Sequence, residues 1–184
     1  LVKVTKNRQI THQMSLLLAV VQAKEFAGQE RAVGATGLSE QNFPPPLSNR
    51  LISLISLQNQ LLDSVAESAL PKLAAAYTAA ANGAEEAKVA ALRAGVFEGI
   101  DAGLFDDISA AGWFQATTAR INQLKLVENA AFSGLVELEH KIGDTAAHSL
   151  RSLILELSGL LVVVCALGFY IVRRRDFGGF AQNA

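Results

Sequence analysis

An arginine on the apolar face of a helix is the group in this sequence best placed to do chemistry. Projected at about 100° per residue, Trp113, Thr117, Leu124, Val127, Ala131, Leu135, Leu138 and Ile142 share one stripe of a late helix. Arg120 falls inside that stripe, and so does Glu128 two turns further on. A guanidinium on a core face needs a partner, because an unpaired buried charge is very costly. An early helix offers the facing surface, with Met14, Leu17, Leu18, Val21, Gly28 and Ala32 aligned and Glu25 among them. Lys24 and Arg31 lie together along one edge of it, and Gly28 between them permits close backbone approach. If the two helices are antiparallel neighbours, Arg31 and Arg120 meet at one end. Two guanidiniums facing one small space make an anion site, and Thr117 on the Arg120 face could donate a hydrogen bond to an oxyanion. The same residues also allow a purely structural arrangement, with Arg120 paired to Glu25 or Glu128 and Arg31 to Glu30 or an exposed carboxylate. Trp113 and Phe114 read as core plugs.

Other chemistries find no support. Gly34-Ala35-Thr36-Gly37 lacks the following Gly-Lys-Ser/Thr of a phosphate loop, and neither HExxH nor Gly-x-Ser-x-Gly occurs. A single cysteine, Cys165, excludes an intrachain disulfide and a thiolate zinc site. His12, His140 and His148 are too scattered for a metal centre, and Asp106-Asp107 reads as a solvated cap. We expect no enzyme activity, no metal and no cofactor. With 16 Lys and Arg against 17 Asp and Glu, the net charge of −1 creates no field for nucleic acid.

The elements that must position these residues are helices. Of the 184 residues, 51% are hydrophobic and only 18% charged, and the mean hydropathy is +0.28. The four prolines are Pro44, Pro45, Pro46 and Pro71, and alanine is abundant, so the chain is all-α. The simplest packing is an up-and-down helical bundle with antiparallel first and last helices. Helix one is expected over about 4–33, ending in the glycines Gly34 and Gly37. A second follows over about 47–69, with Leu51, Ile55, Gln58, Leu62 and Val65 at helical spacing, and a third over 72–81. A short helix covers 85–94, and the glycine-punctuated 95–103 reads as a turn region. The last helix starts near Ser109 as N-cap and could run unbroken to Arg175, a rod about 100 Å long at roughly 1.5 Å per residue.

That last helix carries sixteen uncharged positions, LSGLLVVVCALGFYIV at 157–172, followed by Arg173-Arg174-Arg175. With 153–156 it reaches the ~20 residues of a bilayer span. The arginine cluster belongs on the cytoplasmic side, and Tyr170 favours the interface. The domain reading is therefore 1–152 outside the cytoplasmic membrane, 153–172 across it, and 173–184 as a cytoplasmic juxtamembrane linker. The chain starts at Leu1 without a signal pattern. It reads as a piece of a longer protein, with a further membrane helix before it and an output domain after it. The long last helix and the small bundle predict a homodimer.

Two segments resemble a known family. Ala23-Lys24-Glu25-Phe26-Ala27-Gly28-Gln29-Glu30-Arg31-Ala32 is similar to the first-helix motif of nitrate- and nitrite-sensing (NIT) domains. The segment from Trp113 to Glu128, with Thr117, Arg120-Ile121, Leu124 and Val127-Glu128, resembles the family's late-helix pattern. The resemblance covers about residues 10–135. It implies an all-helical extracytoplasmic sensor of bacterial signalling receptors, attached to kinases, chemoreceptors or cyclases. It further implies that an arginine on the first helix and one on a late helix hold nitrate or nitrite, which by motif match are Arg31 and Arg120. The fuller family fold packs two bundles, whereas residues 1–152 leave room for one, whose missing wall would come from a second subunit. Nitrate is planar and singly charged, and the rigid arginine fork can engage two of its coplanar oxygens at any relevant pH. A shift of about 1–2 Å in the last helix could then bias the cytoplasmic part. The alternative is a membrane-tethered bundle that acts only as an interaction scaffold.

Overall fold

The computed structural model describes the backbone of residues 2–68, 70–105 and 108–178, and the side chains of 8–68, 70–105, 108–141, 154, 155, 157 and 158. These residues form five helices and no strand: α1 (Val2–Glu40), α2 (Pro45–Ala66), α3 (Pro71–Ala81), α4 (Ala84–Ala102) and α5 (Ala110–Gly178). The all-α expectation holds. The chain divides into two units, Leu1–Leu138 and Glu139–Ala184.

In the first unit α1 runs against α5 in opposite directions: Lys24 meets Glu128, Arg31 meets Thr118, and Gly34 meets Trp113. Three apolar layers stack along the bundle. One end holds Leu16, Val20, Val65, Leu73, Val127 and Ala131. The middle holds Ala23, Ala27, Leu62 and Leu124. The other end holds Leu38, Phe43, Leu51, Val96, Phe105 and Trp113.

Three expectations fail for identifiable reasons. The first helix does not stop at Gly34 and Gly37 but continues to Glu40. Those glycines serve close approach: a Cβ on Gly34 would lie 2.2 Å from the Trp113 indole, and one on Gly37 2.3 Å from the Phe43 phenyl. The helix ends instead at Gln41, whose φ of 50° is left-handed, with the Asn42 amide bonded to the Gly37 carbonyl. Likewise 95–103 is not a turn region. Helix α4 runs through it to Ala102, because Gly95 and Gly99 let Ile108 and Phe105 fold back onto its surface. Finally, the apolar stripe assigned to α1 is not its buried face. Met14 and Leu18 are each 55% exposed, whereas Leu16, Val20, Ala23 and Ala27 are buried. The helix carries two apolar stripes, and packing selected the other one. The start of α5 is as expected, with the Gly112 amide donating to the Ser109 hydroxyl.

In the second unit α5 continues as helix to Gly178. Among the described residues no helix is long and apolar enough to cross a membrane. The expected span at 153–172 and the linker at 173–184 fall almost wholly outside the residues whose side chains are described, as do His148 and Cys165. Asp106 and Asp107 also lie outside the described residues.

Candidate functional site

Between the middle layer and the Trp113 end lies a polar layer to which four helices each bring at least one side chain. From α1, Glu30 follows Ala27 on the buried face. From α2, Gln58 lies one turn before Leu62. From α4 come Glu86 and Arg93, and from α5 Arg120 precedes Leu124. Their bonds close into a circuit. Arg93 donates from Nε and Nη2 to the two carboxylate oxygens of Glu30, both at 2.7 Å. Its Nη1 lies 3.7 Å from Glu86 Oε1. Arg120 donates from Nε to Glu86 Oε2 at 2.5 Å and from Nη1 to Gln58 Oε1 at 2.7 Å. Gln58 returns to Glu30, donating from Nε2 at 2.7 Å.

Two guanidiniums and two carboxylates cancel in formal charge, which is the condition for holding them in a low-dielectric interior. Glu30 is 1% exposed and Arg120 3%. The glutamine matters as much as the ions: its amide accepts from one cation and donates to one anion, so each is served without adding charge.

Arg120 also borders a cavity of about 150 Å³, lined by Asn59, Leu62, Asp63, Tyr77, Ala80, Ala81, Glu86, Arg120 and Leu124. Burial raises the Tyr77 phenol above its ordinary range, and the nearby Asp63 and Glu86 carboxylates add to this against the opposing pull of Arg120. Tyr77 therefore faces the cavity as a neutral hydroxyl. Among the described residues, the Nη2 of Arg120 has no hydrogen-bond partner, although Nε and Nη1 are both engaged.

The residues singled out from sequence are only partly brought together. Arg120 stands at the junction of the circuit and the cavity, paired with Glu86 and not with Glu25 or Glu128. Arg31 is absent from the cavity wall: its Nη1 donates to the Thr118 hydroxyl at 3.0 Å, and its guanidinium lies 4.6 Å above the Phe114 ring. It does not pair with Glu30, whose carboxylate is taken by Arg93. Phe114 is thus no core plug but a half-exposed platform for a cation. Trp113 is fully buried, and its indole N–H donates to the Arg31 carbonyl at 3.1 Å. Lys24 is ion-paired with Glu128. The Thr117 hydroxyl donates within its own helix, to the Trp113 carbonyl at 2.7 Å. Gly28 does not close a helix contact, because a Cβ there would meet nothing within 4 Å.

Sequence reasoning passed over Glu30, Gln58, Glu86 and Arg93 as a site, though three carried a signal. Gln58 stands in the apolar stripe of α2. Glu30 follows Ala23 and Ala27 at helical spacing. Arg93 lies between Val89 and Val96, a stripe hidden by ending the helix too early.

Fold and site together define the class: an all-helical bundle with a charge-balanced polar layer beside a small cavity. The family model for nitrate and nitrite sensing matches residues 1–136, and the chain belongs to that family. It is 32% identical over 124 residues to a nitrate regulatory protein of Klebsiella oxytoca, an overlap of 65% of this chain and 30% of that protein. The chain thus spans less than a third of that relative's length. No solved structure matches it.

Proposed function

We propose that residues 1–152 are the extracytoplasmic sensor of a bacterial membrane receptor and that they bind nitrate or nitrite against Arg120. Family membership supports the ligand. The observation that carries the site is that Arg120 lines a 150 Å³ cavity while its Nη2 has no hydrogen-bond partner among the described residues. At roughly 30 Å³ per water molecule, that space accommodates a small oxyanion. Asn59 and the Tyr77 hydroxyl can donate to its remaining oxygens.

Arg31, Lys24, Gly28 and Thr117 stay in the proposal as residues of α1 and α5 outside the cavity lining. Arg31 is held only by a neutral hydroxyl and a phenyl face, so its charge is available to an approaching anion. Ligand binding draws α1 toward α5, and the shift passes to an output domain beyond 153–172, the membrane-spanning segment. The exposure of Ile154, Leu155 and Leu157 supports that segment. A homodimer brings two such helices across the membrane together. The protein acts by binding and transmitting, without catalysis or cofactor. The scaffold alternative requires Arg120 to be tied to acids with no space beside it, and the cavity speaks against that.

The decisive substitution is Arg120→Lys. Arg120→Ala would strand both Glu86 and Gln58, whereas lysine keeps the charge and loses the planar fork. We expect nitrate affinity measured by calorimetry to fall at least about tenfold, a loss of one bidentate contact worth roughly 1.4 kcal/mol. Helical circular dichroism should be retained. Undiminished affinity would place the anion elsewhere.

A further inference from the structure

An anion entering the cavity meets a difficulty that the circuit itself resolves. The wall carries one guanidinium, Arg120, but two carboxylates, Asp63 and Glu86. A guanidinium binds a planar oxyanion best along an edge that offers two parallel N–H bonds. Arg93 shows this mode, using its Nε and Nη2 together on Glu30. On Arg120 the corresponding edge is half occupied: Glu86 Oε2 takes Nε, while Nη2 beside it has no partner among the described residues.

Building on the anion-sensing reading, we infer that Glu86 is the resident counter-anion of Arg120, which nitrate displaces from the Nε/Nη2 edge, and that the released carboxylate moves onto Arg93. Three observations fit this role. Glu86 is the accessible member of the circuit, with a side chain 27% exposed against 1% for Glu30 and 4% for Arg120. It occupies the first turn of α4, three residues after the N-cap Gly83. Its destination is at hand, since Oε1 already lies 3.7 Å from Arg93 Nη1, just beyond bonding distance. Arg120 stays aimed during the exchange because Gln58 holds Nη1 and does not let go. The exchange replaces one oxygen on the edge with two and shortens a long ion pair elsewhere. Bound nitrate would thereby be coupled to the start of α4, a helix no motif marks.

The test is nitrate titration by calorimetry on the 184-residue chain, unsubstituted and as Glu86→Gln, with chloride as the anion lacking paired oxygens. If Glu86 holds the edge about nine-tenths of the time, removing its charge raises nitrate affinity about tenfold, since apparent affinity scales with the competent fraction. Chloride affinity should change far less. Glu86→Asp keeps the charge but draws the carboxylate back from Arg120, and it serves where the glutamine variant fails to fold. It should show an intermediate gain. Tighter nitrate binding by either folded variant supports the exchange. If the unsubstituted chain binds nitrate and neither variant binds it more tightly, the exchange is wrong while the sensing reading stands. If no form binds nitrate, both are wrong.

Discussion

Glu30→Leu should destabilise the folded chain by about 3–5 kcal/mol, the cost of breaking a buried pair from one side. The substitution leaves Arg93 with two donors that lose their acceptors and takes from the Gln58 amide one of its two acceptors, the Leu54 carbonyl remaining, all in a layer water barely reaches. Against the roughly 5–15 kcal/mol that stabilises a typical domain, this is a large share. Urea denaturation followed by helical circular dichroism reads it directly. The companion double variant Glu30→Leu/Arg93→Met should recover most of the loss, because a buried ion pair exchanged for apolar volume is often neutral. A double variant as unstable as the single one would mean that Glu30 acts by shape and not by charge. Glu86 is the group that would then lack a cation on one side, and its exposure makes that tolerable.

The second large effect is steric. Gly34→Leu should cost about 3 kcal/mol, at the upper end of overpacking penalties. The first added carbon alone would sit 2.2 to 2.4 Å from three indole atoms of Trp113. The indole has nowhere to retreat: it is fully buried among Leu38, Leu51 and Val96, and its N–H is fixed to the Arg31 carbonyl. Gly28→Leu on the same helix supplies the control, with nothing within 4 Å of the added carbon. There leucine's better helix propensity should leave stability equal or higher by up to about 1 kcal/mol. Near-ultraviolet circular dichroism of the single tryptophan should change for the first and not for the second. Equal midpoints for the two variants would contradict the close approach of α1 and α5.

The position of Trp113 also bears on the proposed transmission. Its indole is bonded to the backbone of Arg31, and Thr118, a turn along α5, bonds the Arg31 side chain. These two bonds join Arg31 of α1 to the first turns of α5, the contact through which the proposed shift would act. Arg31 bridges α1 and α5 through Thr118, whereas Arg120, also at α5, is bonded to Glu86 of α4 and Gln58 of α2.

Much was legible in the residues themselves. Scarce proline and abundant alanine specify helices, and Ser109 marks where the last one begins. The 3.6-residue period puts Arg120, Thr117 and Trp113 on a buried stripe of α5, where they are found. The two motifs around Arg31 and Arg120 carry the family, which the match over residues 1–136 bears out. Periodicity reports which face of a helix is apolar, yet it is silent when a helix has two such faces. On α1 the stripes through Met14 and Leu18 and through Leu16 and Val20 are equivalent by pattern, and only packing chose the second. The partner of each charge was beyond reach for a related reason. Glu86 meets Arg120 across 34 positions, Glu30 meets Arg93 across 63, and Lys24 meets Glu128 across 104. Nothing local distinguishes Glu86 from Glu25 or Glu128 as the partner of Arg120. Helix geometry sets where a side chain points on its own axis. Which charge it finds there depends on how neighbouring axes are rotated against each other, and that rotation is decided only when glycine-backed aromatics such as Trp113 and Phe105 seat in their grooves.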